Sequence, residues 1–121
     1  MHQGNMTSAD ELISPQYVEH VPLPTPGREG LKGLVMMARN AFPDLHPTIE
    51  DLVAEGDRVA VRVVARGTHQ NTFMATPASG KAVEWREIHI YRAVDGQIVE
   101  HWAQVDFLSL LQQIGALPAM V

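Results

Sequence analysis

The chain has 121 residues, a net charge of −5 and no cysteine, and 45% of its residues are hydrophobic. A chain of this length and composition fits a single globular domain over residues 1–121 and does not resemble a disordered protein. Its nine basic residues are scattered along an acidic chain, which argues against nucleic-acid binding. The lack of cysteine excludes disulfides, thiolate chemistry and cysteine zinc sites.

Signals for membranes, export and cofactors are also missing from the sequence. No apolar run approaches the roughly 18 residues of a membrane-spanning helix, and Met1–Asn5 lacks the charged and apolar regions of a signal peptide. We therefore expect a cytoplasmic protein without membrane contact. No glycine-rich nucleotide loop, serine-hydrolase elbow or His-Glu-x-x-His pair occurs. We expect no metal and no organic cofactor.

The first part of the chain predicts helices joined by a loop. Ser8–Ile13 predicts a short helix with a capping box. Tyr17–His20 is a short extended segment, and the prolines and glycine of residues 22–27 predict a loop. Gly30–Ala41 has apolar residues at helical spacing, so it predicts an amphipathic helix that Pro43 ends.

The second part of the chain predicts an antiparallel sheet. The predicted strands are Pro47–Ala54, Arg58–Gln70, Lys81–Val94 and Gly96–Asp106. Asp95-Gly96 suits a type I′ hairpin turn, which pairs the last two strands directly. Phe107–Gln113 predicts a short helix. Helices followed by four strands indicate an α+β domain.

The hairpin turn also predicts which side chains face each other. A two-residue turn pairs Val94 with Gln97, unless a β-bulge shifts the register by one residue. One face then carries three facing pairs: Trp85 with Asp106, Glu87 with Gln104, and His89 with Trp102. Two carboxylates beside two indoles fit neither a plain core nor a plain surface. The pattern favours the wall of a binding pocket.

Asp106 is the predicted proton-transfer group. It shares a face with Trp102, and burial beside an indole should raise the pKa of its carboxyl group towards neutrality. Other interpretations stay open: Asp106 could cap the following helix, Glu87 and His89 could be a satisfied buried pair, and the tryptophans could be core. His101 falls on the opposite face, where we expect a surface or interface position.

Three segments resemble the SnoaL-like polyketide cyclase family, which lies within the NTF2-like, or cystatin-like, superfamily. They are Tyr17-Val-Glu-His20, Trp85-Arg-Glu-Ile-His89 and Asp95-Gly-Gln-Ile-Val-Glu-His-Trp102 with Asp106. The resemblance implies a cone-shaped α+β barrel, in which a curved antiparallel sheet packs against helices around an apolar cavity. It also implies a homodimer built through the sheet, for which we expect the face with Val99, His101, Ala103 and Val105. The chain begins at the segment that follows the family's first helix, so that helix is expected to be absent.

The resemblance also implies a reaction. In the characterised cyclases, an aspartate at the position of Asp106 is the general acid/base in an intramolecular aldol closure of a polyketide ester, without metal or organic cofactor. The polar pair on the neighbouring strand corresponds to Glu87 and His89. The family pattern has a histidine two residues before the aspartate, where this chain has Gln104, an amide that cannot take up a proton as imidazole does.

We therefore expect a small apolar carbonyl compound as the ligand. Asp106 would move a proton next to the carbonyl, while His89, oriented by Glu87, would polarise its oxygen. The expected binding residues are Tyr17, His20, Trp85, Trp102 and Gln104. Two alternatives stay open: a non-catalytic ligand-binding module of the same fold, and a ketosteroid-isomerase-like or epoxide-hydrolase-like enzyme. The hydrolase alternative needs an arginine in the pocket, and the predicted faces turn Arg62 and Arg66 away from it.

Overall fold

The computed structural model describes residues 12–20 and 27–117. Its elements, in chain order, are β1 (Ile13–Glu19), α1 (Gly27–Ala41), β2 (His46–Glu55), β3 (Arg58–Thr68), β4 (Ala82–Val94), β5 (Gln97–Val105) and α2 (Phe107–Gln113). The predicted α+β class is confirmed. The predicted helix over Ser8–Ile13 lies mostly outside the described residues, and Ile13 itself starts β1. Among the described residues, no helix is long and apolar enough to cross a membrane.

The strands form one sheet in the order β1-β5-β4-β3-β2. The four strands from β2 to β5 pair in antiparallel fashion, as predicted. The sequence did not predict that β1 joins the sheet parallel to β5. The pairing of β1 is irregular between Ile13 and Val18. That stretch contains Pro15, which has no N–H to donate and is tolerated because β1 is an edge strand.

One face of the sheet packs against both helices, and we call it the inner face. Its main core contains residues of β3 and β4, of the loop between them, and of the end of α1 and of α2 with the residues that follow these helices. They are Ala41, Phe42, Ala65, Phe73, Val83, Trp85, Leu110 and Ile114. A second core cluster joins Ile13 and Tyr17 of β1 to Leu31 of α1. These contacts fix α1 against the sheet and bury the side chains around which the site is built.

Gly67 lets the loop after α1 approach the sheet closely. A Cβ atom at Gly67 would lie 3.1 Å from Cβ of Phe42 and 3.4 Å from Oδ1 of Asp44, which is tighter than ordinary contact. Phe42 is therefore able to pack directly over the sheet, where its ring centroid lies 5.2 Å from that of Trp85. This contact holds the indole of Trp85 in place on the inner face.

The β4–β5 hairpin has the predicted turn. Asp95 and Gly96 have φ angles of 52° and 78°, as a type I′ turn requires. Val94 pairs with Gln97, again as predicted.

A β-bulge in β5 then shifts the register. Ala93 pairs with Ile98, but the next pair is Arg92 with Glu100, so Val99 is an extra residue on β5. A shift of one residue moves every following side chain to the opposite face of the sheet. The faces predicted for β5 beyond Val99 are therefore reversed.

The reversal changes which side chains meet across the hairpin. The observed inner-face pairs are Tyr91 with His101, His89 with Ala103 and Glu87 with Val105. The predicted pairs, Trp85 with Asp106, Glu87 with Gln104 and His89 with Trp102, are wrong. The expected surface or interface position of His101 is also wrong, since His101 is only 3% exposed.

Candidate functional site

A chain of hydrogen-bonded side chains crosses the inner face from β4 to β1. Its members, in order, are Trp85, Glu87, His89, His101, Glu19 and Tyr17. We call this set the polar chain. Neighbouring members are joined by contacts of 2.6 to 2.9 Å, so the chain is continuous over three strands.

The β4 half of the polar chain follows from strand periodicity. Residues two apart on a strand share a face, so Trp85, Glu87 and His89 all point inwards. The indole Nε1–H of Trp85 donates to Oε2 of Glu87 at 2.6 Å, and His89 Nε2 lies 2.7 Å from Oε1 of the same carboxylate. The side chains of Glu87 and His89 are 20% and 15% exposed, so this end can be reached from outside.

The environment of Glu87 keeps its carboxylate ionised. Burial alone would raise the pKa of Glu87. The hydrogen bond and the charge interaction with His89, together with the hydrogen bond from Trp85, outweigh burial and hold the pKa below its usual value of 4.5. An ionised carboxylate only accepts hydrogen bonds. His89 Nε2 therefore carries a proton and donates it to Glu87.

The β1 half of the polar chain is buried more deeply. Glu19 pairs with His101 across the parallel β1–β5 ladder. His101 Nδ1 lies 2.8 and 2.9 Å from the two carboxylate oxygens of Glu19, and the Tyr17 hydroxyl donates to Oε1 at 2.6 Å. The side chains of His101 and Glu19 are 4% and 2% exposed. This end is therefore closed to solvent.

The two halves meet between the histidines. His89 Nδ1 and His101 Nε2 are 2.8 Å apart. The ring of Tyr91 stacks on both imidazoles, with centroids 4.7 Å from His101 and 5.9 Å from His89. In the described part of the chain, no group of three or more histidine or carboxylate side chains is arranged to hold a metal ion. The members contact one another in sequence and do not converge on one point.

Both tyrosines of the site stay neutral. Burial, followed by the negative charges of Glu87 and Glu19, raises the pKa of Tyr91 to about 12. Burial and the hydrogen bond to Glu19 hold the pKa of Tyr17 well above its usual value. Besides the tyrosines, the ionisable side chains of this site are two carboxylates and two imidazoles.

The neighbouring strand gives the polar chain an apolar wall. Val61, Val63 and Ala65 of β3 face His89, Glu87 and Trp85 respectively, and all three β3 residues are buried. Electrostatic interactions and hydrogen bonds are stronger in such surroundings than in water.

Two predicted binding residues lie on the outer face instead. The ring of His20 stacks on Trp102 with a centroid distance of 4.7 Å, and the Arg58 guanidinium lies 5.1 Å from the same indole. His20 Nε2 also contacts Glu100 at 2.7 Å. The structure does not bring His20 or Trp102 to the polar chain, whereas it does bring Trp85 and Tyr17 there.

Asp106 and Gln104 are not members of the polar chain. They line an open groove of about 300 Å³, whose other lining residues are Arg62, Arg86, Glu87, Ile88 and Val105. Asp106 is exposed, so the expected burial beside Trp102 is wrong. Its carboxylate accepts the backbone N–H of Ser109 at 3.0 Å, which confirms the alternative that it caps the following helix.

Three members or neighbours of the polar chain were not among the predicted site residues: Glu19, Tyr91 and His101. Glu19 had a sequence signal, because it lies two residues after Tyr17 in an extended segment. His101 had none, because its position depends on the bulge at Val99.

Comparisons with known proteins agree with this architecture. Residues 1–114 match the model of the SnoaL-like polyketide cyclase family. The aklanonic acid methyl ester cyclase DnrD of Streptomyces peucetius is 29% identical over 107 residues, which cover 87% of this chain and 72% of DnrD. The nogalonic acid methyl ester cyclase of Streptomyces nogalater is 28% identical over 116 residues, covering 93% of this chain and 87% of that cyclase. The structure of IdmH from Streptomyces antibioticus superposes with a TM-score of 0.83 and 39% identity, over 94% of this chain and 89% of IdmH. This chain therefore belongs to the SnoaL-like polyketide cyclase family.

Proposed function

We propose that this protein is an acid/base enzyme that acts on a small apolar carbonyl compound, with Glu87 and His89 as its catalytic pair. The observation that carries the proposal is the polar chain on the inner face. Its two partly exposed members are Glu87 and His89. Glu19 and His101 support them from the closed end.

Glu87 is the proton acceptor in this proposal. Each of its carboxylate oxygens receives one hydrogen bond, from His89 or from Trp85, and each can accept a second. Both nitrogens of His89 already have partners. Glu87 therefore keeps a lone pair for the substrate, while His89 orients and stabilises the carboxylate.

The proposed reaction is an intramolecular aldol closure. Glu87 takes a proton from the carbon next to a carbonyl group, and the resulting enolate carbon forms a bond to a second carbonyl carbon. The oxygen of that second carbonyl group then takes the proton back from Glu87. The product is an isomer of the substrate, so no further reagent is required.

The electrostatics of Glu87 narrow the substrate class. A carboxylate whose pKa is held below its usual value is a weak base, and general-base catalysis is efficient only when the driving force for proton transfer is adequate. The substrate should therefore carry an unusually acidic C–H group, such as one flanked by two carbonyls. Two relatives are named as cyclases of aklanonic and nogalonic acid methyl esters, and the family is named for polyketide cyclases. We propose a polyketide ester as the substrate here.

The experiment uses aklanonic and nogalonic acid methyl esters as probes. Ring closure is followed by chromatography, and exchange of the acidic carbon-bound proton in D₂O is followed by mass spectrometry. Glu87→Gln should lower both rates by about 10²–10⁴-fold, the usual contribution of a general acid/base. Asp106→Asn, the control, should stay within about tenfold of wild type, since an amide oxygen still caps a helix.

Two outcomes would contradict the proposal. If Asp106→Asn loses about a hundredfold or more and Glu87→Gln loses less than about tenfold, Asp106 carries the proton. If the wild-type protein binds the esters but catalyses neither ring closure nor exchange of the carbon-bound proton, the protein is a ligand-binding module.

We also propose that two copies of this chain pair through the outer face of the sheet. Ile88 and Ile90 are exposed there, whereas His101 on the inner face is buried. Light scattering should give the mass of a dimer, and Ile88→Lys should give a monomer. Leu52→Lys is the matched control: Leu52 is exposed on the edge strand β2 but pairs with Val61 on the inner-face side, so the variant should leave the dimer intact. A monomeric wild-type protein would contradict this proposal.

A further inference from the structure

We propose that His89 and His101 share one stored proton, held between the carboxylates of Glu87 and Glu19, and that the polar chain relays it to Glu87. The relay serves the acid/base role proposed above and rests on it. The stored proton itself rests on the geometry alone. Glu19 and His101 are then positioning residues, because they act on Glu87 through His89.

Counting protons leads to this inference. Three hydrogen bonds link the four titratable groups: Glu87 to His89 at 2.7 Å, His89 to His101 at 2.8 Å, and His101 to Glu19 at 2.8 Å. Each link needs one proton. Two neutral imidazoles provide two N–H protons. The outer links use both, so a third proton is needed between the imidazoles.

Without the third proton, two nitrogen lone pairs would face each other. His89 Nδ1 and His101 Nε2 are 2.8 Å apart, which is a hydrogen-bond distance and requires a donor. The four groups therefore hold three protons. Their net charge is that of two carboxylates and one imidazolium.

The surroundings favour retention of this proton. Glu19 and Tyr17 face His101 from β1, Glu87 and Tyr91 face the histidines from β4, and α1 contributes the apolar Leu31 to the cluster around Tyr17. Both carboxylates attract a positive charge between them. The neutral ring of Tyr91 stacks on both imidazoles, an arrangement that also stabilises a cation.

Two short proton transfers make Glu87 an acid without moving a side chain. The shared proton passes from His101 Nε2 to His89 Nδ1, and the Nε2 proton of His89 passes to Oε1 of Glu87. The four groups still hold three protons, with Glu87 protonated, both imidazoles neutral and Glu19 ionised. The same chain can thus present Glu87 as a base or as an acid.

Nuclear magnetic resonance of the substrate-free protein with ¹⁵N-labelled histidine tests the stored proton. At neutral pH we expect one far-downfield proton coupled to nitrogens of two different imidazoles, and this signal should vanish in His89→Gln and His101→Gln. Glu19→Gln removes a negative charge, so the pH midpoint for loss of the proton should fall by roughly 1–3 units. Tyr17→Phe removes a donor that stabilises ionised Glu19, so this midpoint should rise.

A carboxylate on the other face of the sheet provides the control. Glu100 also contacts a histidine, His20, at 2.7 Å, but it lies on the outer face. Glu100→Gln should leave the midpoint unchanged. The inference is overturned if both imidazoles are neutral in the wild-type protein at neutral pH, or if Glu19→Gln shifts the midpoint no more than Glu100→Gln does.

Failure of the stored proton and failure of the proposed enzyme are distinguishable. The resonance measurement needs no substrate. It also does not depend on whether the variants fold, because the wild-type spectrum alone can show that no shared proton is present. If Glu87→Gln abolishes ring closure while no shared proton is found, the enzyme proposal stands and the relay falls. If a shared proton is found but Glu87→Gln still closes the ring, the stored proton stands and the enzyme proposal falls.

Discussion

Replacing Trp85 by phenylalanine should separate the two contributions of this residue to the site. Phenylalanine keeps an aromatic ring against Phe42, 5.2 Å away in the wild-type structure. It removes the Nε1–H that donates to Glu87 Oε2 at 2.6 Å. The substitution thus deletes one donor to a partly buried carboxylate with little other change.

The expected loss of unfolding free energy comes from two sources. A hydrogen bond to a charged group contributes about 1.5–3 kcal/mol. The smaller ring leaves part of the indole volume empty, which costs about 1 kcal/mol in a well-packed core. The sum is about 2.5–4 kcal/mol, a measurable part of the roughly 5–15 kcal/mol of a small domain.

A double-mutant cycle isolates the hydrogen bond. Trp85→Phe, Glu87→Met and the double variant are unfolded with urea, and the coupling free energy should be about 1.5–3 kcal/mol at pH 7. The pKa of Glu87 is lower in the folded than in the unfolded protein. Its stabilising contribution is therefore complete above about pH 4.5 and is lost as the pH falls through the folded-state pKa. The coupling should weaken accordingly in acid.

The other tryptophan is the matched control. Trp102→Phe makes the same change on the outer face, where the indole stacks on His20. Its coupling to Glu87→Met should stay below about 0.5 kcal/mol. Equal coupling for both tryptophans, or a coupling below about 0.5 kcal/mol for Trp85 at pH 7, would refute the assigned hydrogen bond.

The remaining predictions concern alkaline stability, the bulge and the cap. The pKa of Tyr91 is raised to about 12 by burial and by two nearby carboxylates, so its stabilising contribution is complete below about pH 10 and is lost as the pH rises towards 12. In urea titrations, the unfolding free energy of Tyr91→Phe should therefore fall less between pH 10 and pH 12 than that of the wild type, by up to about 3 kcal/mol. An equal fall in both proteins would contradict this. Deleting Val99 removes the bulge and keeps His101 on the inner face, so the shared-proton resonance should persist. The unfolding free energy should fall by less than about 3 kcal/mol. Deleting Ala103 instead reverses the faces of Gln104 and Val105 and removes Val105 from its contact with the main core. It should therefore lower the unfolding free energy more than deleting Val99 does, and equal tolerance of both deletions would contradict the register. Asp106→Ala should lower the unfolding free energy by about 0.5–2 kcal/mol, measured by thermal unfolding. An unchanged unfolding free energy would contradict the capping role of Asp106.

Much of the fold could be predicted because its patterns extend over many residues. Arg58–Gln70 and Lys81–Val94 alternate over more than ten positions, and the observed strands β3 and β4 lie within one or two residues of those bounds. The helix predicted over Gly30–Ala41 ends where α1 ends. β1 was missed as an element of the sheet because Ser14-Pro15 is typical of a boundary between secondary-structure elements. Its pairing depends on β5, which is distant in sequence.

The candidate site could be predicted only where it depends on one strand. Trp85, Glu87 and His89 share a face by strand periodicity, and the structure brings them together. The β5 contribution was wrong from Val99 onwards. Valine suits a regular strand as well as a bulge, so no residue type marks the extra position.

The physical reason for the bulge lies in the charged partners that β5 residues have on both faces of the sheet. A regular register would turn Glu100 inwards and His101 outwards. Glu100 would lose Arg92, which contacts it at 2.8 Å on the outer face, and its carboxylate would be placed beside that of Glu19, where like charges repel. Glu19 would lose the imidazole that lies 2.8 Å from it. One unpaired residue at Val99 avoids both losses. The bulge thus places an imidazole where β1 holds a buried carboxylate, and the polar chain exists because of it.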